Sequence, residues 1–392
     1  METWQRGGFG LYVHWPFCAA KCPYCDFNSH VGGDRDPIRW RAAYLAELAH
    51  VASMTPGRVL GSVFFGGGTP SLMEPDVVGA ILEAARGHWT IANDLEVTLE
   101  ANPTSVEASR FAGFVDAGVT RFSVGMQALD DADLKRLGRL HSAAEARRAF
   151  EIARSVSDNV SLDLIYARQD QSRDDWRREL GEALAFAGDH LSLYQLTIEA
   201  GTPFAARRAA GGLRGLPDED LAADLYDITQ DLCGAGGLAR YEVSNHARPG
   251  REARHNLVYW RAGDWAAIGP GAHGRLTLDG RRVSTVATRM PEDWLSAVSR
   301  HGQGFGTPEA MDPEGAAEEV LLSGLRLAEG LDRRSLRAWG HDIAAGPLAA
   351  LVDDGLAVAM DDRVTLTERG ILLLDAVIGA LVPLEPVGEQ AA

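Results

Sequence analysis

Three cysteines, Cys18, Cys22 and Cys25, stand in C-x3-C-x2-C spacing within HWPFCAAKCPYCDFNSH. Three thiolates on one short loop can hold three corners of a [4Fe–4S] cube and leave the fourth iron open. An open coordination position is what separates a reactive metal from a structural one. The same spacing also suits zinc held by these cysteines and a histidine, His14 or His30. Cys233 is isolated on an apolar helical pattern and reads as packing. Cysteines grouped in this way are not a disulfide framework and point to a reducing compartment, the cytoplasm.

Further polar residues fall at the ends of predicted strands. Phe64-Phe65-Gly66-Gly67-Gly68-Thr69-Pro70 follows one, and its glycines let a ligand approach bare backbone. The segment is neither a P-loop nor a G-x-G-x-x-G fingerprint, and taken alone it reads as a tight turn. Glu100 ends LEVTLEANP, Gln127 follows RFSVGMQ, and Arg139 lies in LGRLH, where it suits bidentate pairing with a carboxylate. Asp163 interrupts the apolar run SLDLIY, and a buried carboxylate there needs a partner. Any one of these alone reads as a satisfied structural group.

The elements that must position them alternate in type. Predicted strands are Gly10–His14, Ser62–Phe65, Leu95–Ala101, Thr120–Gly125, Asn159–Tyr166, His190–Thr197 and Ala239–Val243. Between them lie helical patterns at Ile38–Ala52, Asp76–Ala85, Val106–Ala117, Ala143–Ala153, Asp174–Ala185 and Asp218–Leu232. Such alternation predicts βαβ units and a parallel sheet. Periodicity leaves a closed barrel and an open sheet equally available. Candidate residues at the ends of many strands favour a barrel-like sheet. The fold class is therefore α/β, a partial (β/α) barrel. Residues 1–245 form that barrel, 246–304 a connecting segment and 305–392 a C-terminal domain. Gly201–Gly215 reads as a loop, and Ala247–Gly274 shows little regular pattern. Beyond residue 305, helices at Glu314–Leu327, Arg333–Trp339 and Pro347–Asp353 precede a hairpin, Leu356–Met360 with Val364–Thr367, and a last helix, Glu368–Leu381. That set predicts a winged-helix-like α+β module serving as a lid or docking domain, with Pro383–Ala392 frayed.

Composition removes several classes. The 392 residues carry 38 Lys and Arg against 55 Asp and Glu, a formal charge of −17, which weighs against nucleic acid as a partner. The apolar stretch Ile371–Leu384 is broken by Asp375 and is too short to span a bilayer. The first ten residues lack the apolar core of a secretory signal.

With the spacings in view, LYVHWPFCAAKCPYCDF resembles the cluster loop of the radical S-adenosylmethionine (SAM) enzymes. Its H-x-P-F-C and Y-C-x-F flanks resemble the branch that holds oxygen-independent coproporphyrinogen III dehydrogenase and the heme chaperones. The resemblance runs over nearly the whole chain. It implies a [4Fe–4S] cluster on Cys18, Cys22 and Cys25, with SAM chelating the fourth iron through its amino and carboxylate groups. It implies SAM contacts from Gly67, Gly68, Thr69, Glu100, Gln127, Arg139 and Asp163, with Tyr12 and Tyr24 flanking SAM or the cluster.

One loop departs from the family. Where the family continues G-L-P-G-Q after its DLIY strand, this chain reads Ala167-Arg168-Gln169-Asp170-Gln171, which puts that loop's SAM contact in question. Two features choose within the branch. Dehydrogenases carry a fourth cysteine at the position of Phe27, whereas heme chaperones carry phenylalanine. His255-Asn256-Leu257-Val258-Tyr259-Trp260 matches the H-N-x-x-Y-W motif of the chaperones. His255 there is a candidate heme ligand, against the alternative of a loop packed on the barrel mouth. The resemblance thus implies a heme chaperone that binds heme and serves heme-acceptor proteins such as respiratory enzymes. It leaves room for peripheral membrane contact and a homodimer. The alternatives are the decarboxylating dehydrogenase and, more weakly, a radical SAM enzyme with another substrate.

Overall fold

The computed structural model of the chain describes residues 4–33, 35–103 and 108–387. Its strands run β1 (Phe9–Trp15), β2 (Phe17–Cys18), β3 (His30–Val31), β4 (Val59–Gly67), β5 (Thr90–Ala101), β6 (Arg121–Gln127) and β7 (Val160–Tyr166). They continue with β8 (His190–Gln195), β9 (Ala239–Glu242), β10 (Asn245–Ala247), β11 (Asp264–Ile268), β12 (His273–Leu278), β13 (Arg281–Val286) and β14 (Glu309–Ala310). All but β2 and β3 join one sheet in the order β14-β13-β12-β11-β1-β4-β5-β6-β7-β8-β10-β9. The run from β11 through β1 to β8 is parallel, and both ends are antiparallel. This is the predicted α/β architecture, with the helices Pro37–Met54, Pro75–His88, Ala108–Ala117, Ala143–Val156 and Arg173–Phe186 in the crossovers.

Residue alternation explains how β6 to β8 sit. In β6 and β7 the even-numbered Phe122, Val124, Met126, Leu162 and Leu164 are buried in the main hydrophobic core. The odd-numbered Arg121, Ser123, Gln127, Ser161 and Asp163 line a central cavity instead. His190, Ser192 and Tyr194 of β8 join them, while Leu191 and Leu193 join the core. A strand's side chains alternate between faces, so the barrel is apolar toward its helices and polar within. Local signals set the helix starts: Ser142 with Glu145, and Ser172 with Asp175, each form a capping box.

Several elements differ from the sequence expectation. The pattern at Val106–Ala117 yields a helix from Ala108, while 106 and 107 lie outside the described residues. Within Gly201–Gly215, read as loop, Pro203–Ala209 is helical because Thr202 caps it and proline suits its first turn. Ala247–Gly274 contains the helix Arg254–Trp260 and strand β11, too short for periodicity to reveal. The segment 246–304, expected to connect two domains, supplies β11 to β13 to the sheet, and its Ile268 and Trp294 belong to the main core. Buried Glu47 pins it there, accepting from the Gly269 and Gly304 amides at 2.8 and 2.6 Å and the Trp294 indole at 2.9 Å. The last helix breaks at Leu373 into Glu368–Leu372 and Leu374–Leu381. Of the tail read as frayed, Glu385–Pro386 pairs with His341–Asp342, and 388–392 lie outside the described residues.

The C-terminal domain is winged-helix-like. Helices Pro313–Gly324, Arg333–Arg337 and Ala345–Asp353 pack on a three-stranded sheet of Leu331–Asp332, Arg363–Leu366 and Ala357–Met360, around a separate hydrophobic core. Among the described residues, no helix is long and apolar enough to cross a membrane.

After β7, Ala167 and Asp170 take left-handed φ values of 56° and 59°, at the two positions where the related loop has glycine. Left-handed alanine costs roughly 1–2 kcal/mol, more than the roughly 0.4–1 kcal/mol by which glycine loosens the unfolded chain. Ala167→Gly should therefore stabilise the protein by about 0.5–1 kcal/mol. A urea midpoint that does not rise would show that the turn carries no such cost.

Candidate functional site

The cysteine loop is clamped at its base. β2 pairs in parallel with β3, setting Cys18 opposite Val31. The Gly68 amide donates to the Trp15 carbonyl at 2.7 Å and the Thr69 amide to Phe17 at 2.9 Å. This contact demands glycine. A Cβ on Gly68 would lie 2.7 Å from the Phe17 carbonyl oxygen, and one on Gly67 (φ 111°) 2.6 Å from the His14 ring. Asn28 ties the loop's far side to the sheet, donating to the Pro270 and Arg289 carbonyls at 2.9 Å each.

His14 is spent inside this clamp. Its Nε2–H donates to the Asn28 carbonyl at 2.8 Å, and its Nδ1 accepts the Tyr12 hydroxyl at 2.9 Å. Burial pushes its pKa down to about 4, so the ring is neutral. With both nitrogens engaged, it offers no lone pair to a metal. His30, the other histidine weighed as a zinc ligand, does not line the cavity that the cysteines face.

That cavity, about 320 Å³, opens at the C-terminal ends of the parallel strands, the usual active end of a (β/α) barrel. Cys18, Cys22 and Cys25 line it together with Tyr24, Gly67, Gly68, Thr69, Glu100, Gln127, Arg139 and Asp163. The structure thus converges eleven of the thirteen residues singled out from the sequence. Tyr12 and His255 stay outside. Tyr12 is held by His14 and stacks on Phe64 at 6.2 Å. His255, on the helix Arg254–Trp260, stacks on Phe64 at 3.8 Å and meets Tyr259 edge-on at 4.2 Å. Burial pushes its pKa down to about 3. Phe64 stands between it and the cavity, so the motif acts here as an aromatic brace. Trp260 extends the brace, with the Arg326 guanidinium 4.4 Å from its ring centre.

The thiols have suitable surroundings for a cluster. Burial pushes the Cys18 and Cys25 thiols up, a cost that metal ligation removes. The Arg139 guanidinium donates to Cys22 Sγ at 3.2 Å and to the Gly125 carbonyl at 3.2 Å, and Thr69 Oγ1 lies 3.5 Å from Cys18 Sγ. Arg139 Nε is buried without a partner, a donor aimed at no protein acceptor and fit for a ligand carboxylate. Among the described residues, no three His, Cys, Asp or Glu side chains are drawn into single-ion geometry. A cube, which takes one thiolate per iron, spreads its ligands more widely than one ion does.

Two carboxylates face the cavity from β5 and β7. Burial, then the nearby Asp163, pushes Glu100 up to about 8, although the Gly67 amide partly offsets this. Burial pushes Asp163 up to about 6 against hydroxyl donors, among them Ser123 at 2.9 Å. Below Asp163, the Ser161 hydroxyl meets His190 Nδ1 at 2.8 Å, and His190 Nε2 meets the Tyr241 hydroxyl at 2.9 Å. Of the H-N-x-x-Y-W motif, Asn256 lines the cavity, and sequence inspection missed Arg121, Ser123, Ser161, His190 and Ser192 as cavity residues. The signal was the polar–apolar alternation of β6 to β8, once the polar face is taken as the inner one.

Glu100 binds a proton in the folded state at pH values where it has lost it in the unfolded chain. Its contribution to stability is thus complete below about pH 4.5 and falls as pH rises toward about 8. Glu100→Gln should stabilise the protein by roughly 1–3 kcal/mol at pH 8 and by little at pH 5. Equal effects at both pH values in urea unfolding would show that the carboxyl titrates normally.

Residues 12–210 match the model of the Radical SAM superfamily. The chain is 37% identical to the heme chaperone HemW of Escherichia coli (strain K12), over 94% of this chain and 96% of that protein. It is 38% identical to the heme chaperone HemW of Mycobacterium tuberculosis (strain ATCC 25618 / H37Rv), over 95% of each. It is also 38% identical to the mitochondrial radical S-adenosyl methionine domain-containing protein 1 of Mus musculus, over 95% of this chain and 87% of that protein. Among solved structures, the coproporphyrinogen III oxidase HemN of Escherichia coli, a radical SAM enzyme, shares the fold with a TM-score of 0.79. That match covers 96% of this chain and 90% of the other at 20% identity.

Proposed function

Because this chain belongs to the radical SAM superfamily, we propose that it is a heme chaperone: it binds a [4Fe–4S] cluster, SAM and heme, and delivers heme to acceptor proteins such as respiratory enzymes. The observation that carries the reading is the identity of 37–38% to proteins named heme chaperone, over 94–95% of the chain. Phe27 supports it. The side chain is 58% exposed at the cavity mouth, where a dehydrogenase would present a fourth thiol. Free thiols on one loop suit a reducing, cytoplasmic setting.

In this reading Cys18, Cys22 and Cys25 each hold one iron and leave the fourth for SAM. When bound and reduced, such a cluster would be able to supply an electron to SAM. The chain's own residues bind and orient. Arg139, with its unpartnered Nε, receives the SAM carboxylate, while its Nη1 stays beside Cys22. Gly67, Gly68 and Thr69 border the methionyl amino group. Glu100, Gln127 and Asp163 accept from the ammonium and ribose, and Tyr24 flanks the cluster. Glu100 must shed its proton before it can accept in full. Heme meets the protein at the mouth beside Phe27, and His255 reaches it only if Phe64 gives way. The heme reading therefore rests on the relatives rather than on that histidine.

The alternative is oxidative decarboxylation of coproporphyrinogen III, which shares the fold and cofactors. One anaerobic experiment separates the two. Reconstituted protein should bind about four irons per chain, take up heme with a change in the Soret band, and leave coproporphyrinogen III unconverted when supplied with SAM and reductant. Formation of protoporphyrinogen IX would overturn the chaperone reading. Cys18→Ala should lose the cluster, and full iron content in that variant would refute the ligand assignment.

A further inference from the structure

We infer that Arg168 is a positioning residue for the SAM site, an inference that rests on reading the cavity as that site. Arg168 occupies the loop in which this chain departs from its family, between the left-handed Ala167 and Asp170. Its guanidinium is buried, with a side-chain exposure of 5%. Nη2 donates to Glu179 Oε2 at 2.6 Å and to Asp133 Oδ2 at 2.8 Å, while Nη1 donates to the Ile165 carbonyl. One cation thus joins two carboxylates from different elements. Glu179 lies on the helix Arg173–Phe186, and Asp133 on the short helix Asp131–Arg136.

The second of these elements matters to the site. Residues 127–139 form a strap that leaves β6 at Gln127 (φ 71°) and ends by laying Arg139 against Cys22. Several contacts hold the strap, among them Arg136 donating to the Gln169 carbonyl at 3.2 Å and the burial of Leu134 and Leu137 beside Ile165, and two further ties meet at one ion pair. The Leu129 amide donates to Glu179 Oε1 at 2.8 Å, and Asp133 is held by Arg168. These two ties run through the Arg168–Glu179 pair, which makes it the charged anchor of the strap's middle. Gln171, the one residue the loop keeps from the family pattern, donates to Glu179 Oε2 at 3.2 Å and secures the same carboxylate. Without Arg168, two largely buried carboxylates would be left without their shared cation. The middle of the strap would then lose its charged anchor and shift on its remaining contacts, and the guanidinium at its far end would move with it. A displacement of about 1 Å is enough to weaken a bidentate contact. Arg168 itself does not line the cavity, so it acts through Asp133 and Arg139 and not on the ligand.

The test uses the reconstituted full chain and reads the change in the EPR signal of the reduced cluster as SAM is added. Arg168→Leu, which restores the family's residue, should keep wild-type iron content and need at least tenfold more SAM for half of the spectral change. Arg168→Lys, which retains the charge but not the fork, should recover part of that loss. A purely structural role would lower the melting temperature of Arg168→Leu and leave the titration of the folded protein unmoved, and that result would overturn the inference. If Arg168→Leu fails to fold, Asp133→Asn decides. It weakens the link between the strap and Arg168, together with the longer 3.6 Å pair with Arg136, while Glu179 keeps its cation. It should weaken the SAM response several-fold, and an unchanged midpoint would refute the role. If the wild-type cluster shows no response to SAM, the reading of the cavity falls first, and the role of Arg168 with it.

Discussion

The whole site depends on how closely β4 can approach the stem of the cysteine loop. Gly67 and Gly68 lie so near to the His14 ring and the Phe17 carbonyl that no side chain fits between them. This contact lets two amides bond the stem directly, which fixes Cys18 and Thr69 relative to the parallel strands. It also confines His14 between Tyr12 and Asn28, and so settles the tautomer of the ring that holds the loop's return. Glycine is commonly read as freedom. Here its use is the missing volume, which brings a loop and a strand edge to hydrogen-bond distance.

A second constraint is the reversal of polarity across the barrel wall. Parallel strands covered by helices need an apolar outer face, and the main core supplies it. The inner face of β6 to β8 is then released from packing duty and carries Arg121, the serines, His190 and Asp163. These groups satisfy one another in part. What they leave unsatisfied, such as the strongly raised proton affinity of Glu100 and the orphan Nε of Arg139, marks where a charged ligand would compensate them. Stability is given up where binding chemistry is gained.

The H-N-x-x-Y-W segment shows how a motif's residues can serve two ends. In this conformation His255, Phe64, Tyr259 and Tyr12 form one aromatic layer behind the cavity wall, and Trp260 reaches Arg326 near the C-terminal domain. The layer and Trp260 are joined through their shared helix Arg254–Trp260, which runs from the cavity wall to the junction between the domains. It does so on a helix of seven residues, inside a stretch where hydrophobic periodicity has no room to show itself.

Local chemistry was legible in the chain before any fold was known. The cysteine spacing, the glycine run and the alternation of strands with helices all act over a few neighbouring residues, so they survive in one dimension. Glu100 and Gln127 at strand ends, and Asp163 within β7, meet in one place because parallel strands share one direction. Tertiary structure alone decided which face of each strand looks inward, that both nitrogens of His14 are engaged in the clamp and unavailable to a metal, and that His255 lies behind Phe64. It also decided that 246–304 belongs to the sheet and that Arg168 gathers carboxylates distant in sequence. Each of these depends on contacts between segments tens to hundreds of residues apart, whose partners are chosen by packing and charge compensation in the folded chain.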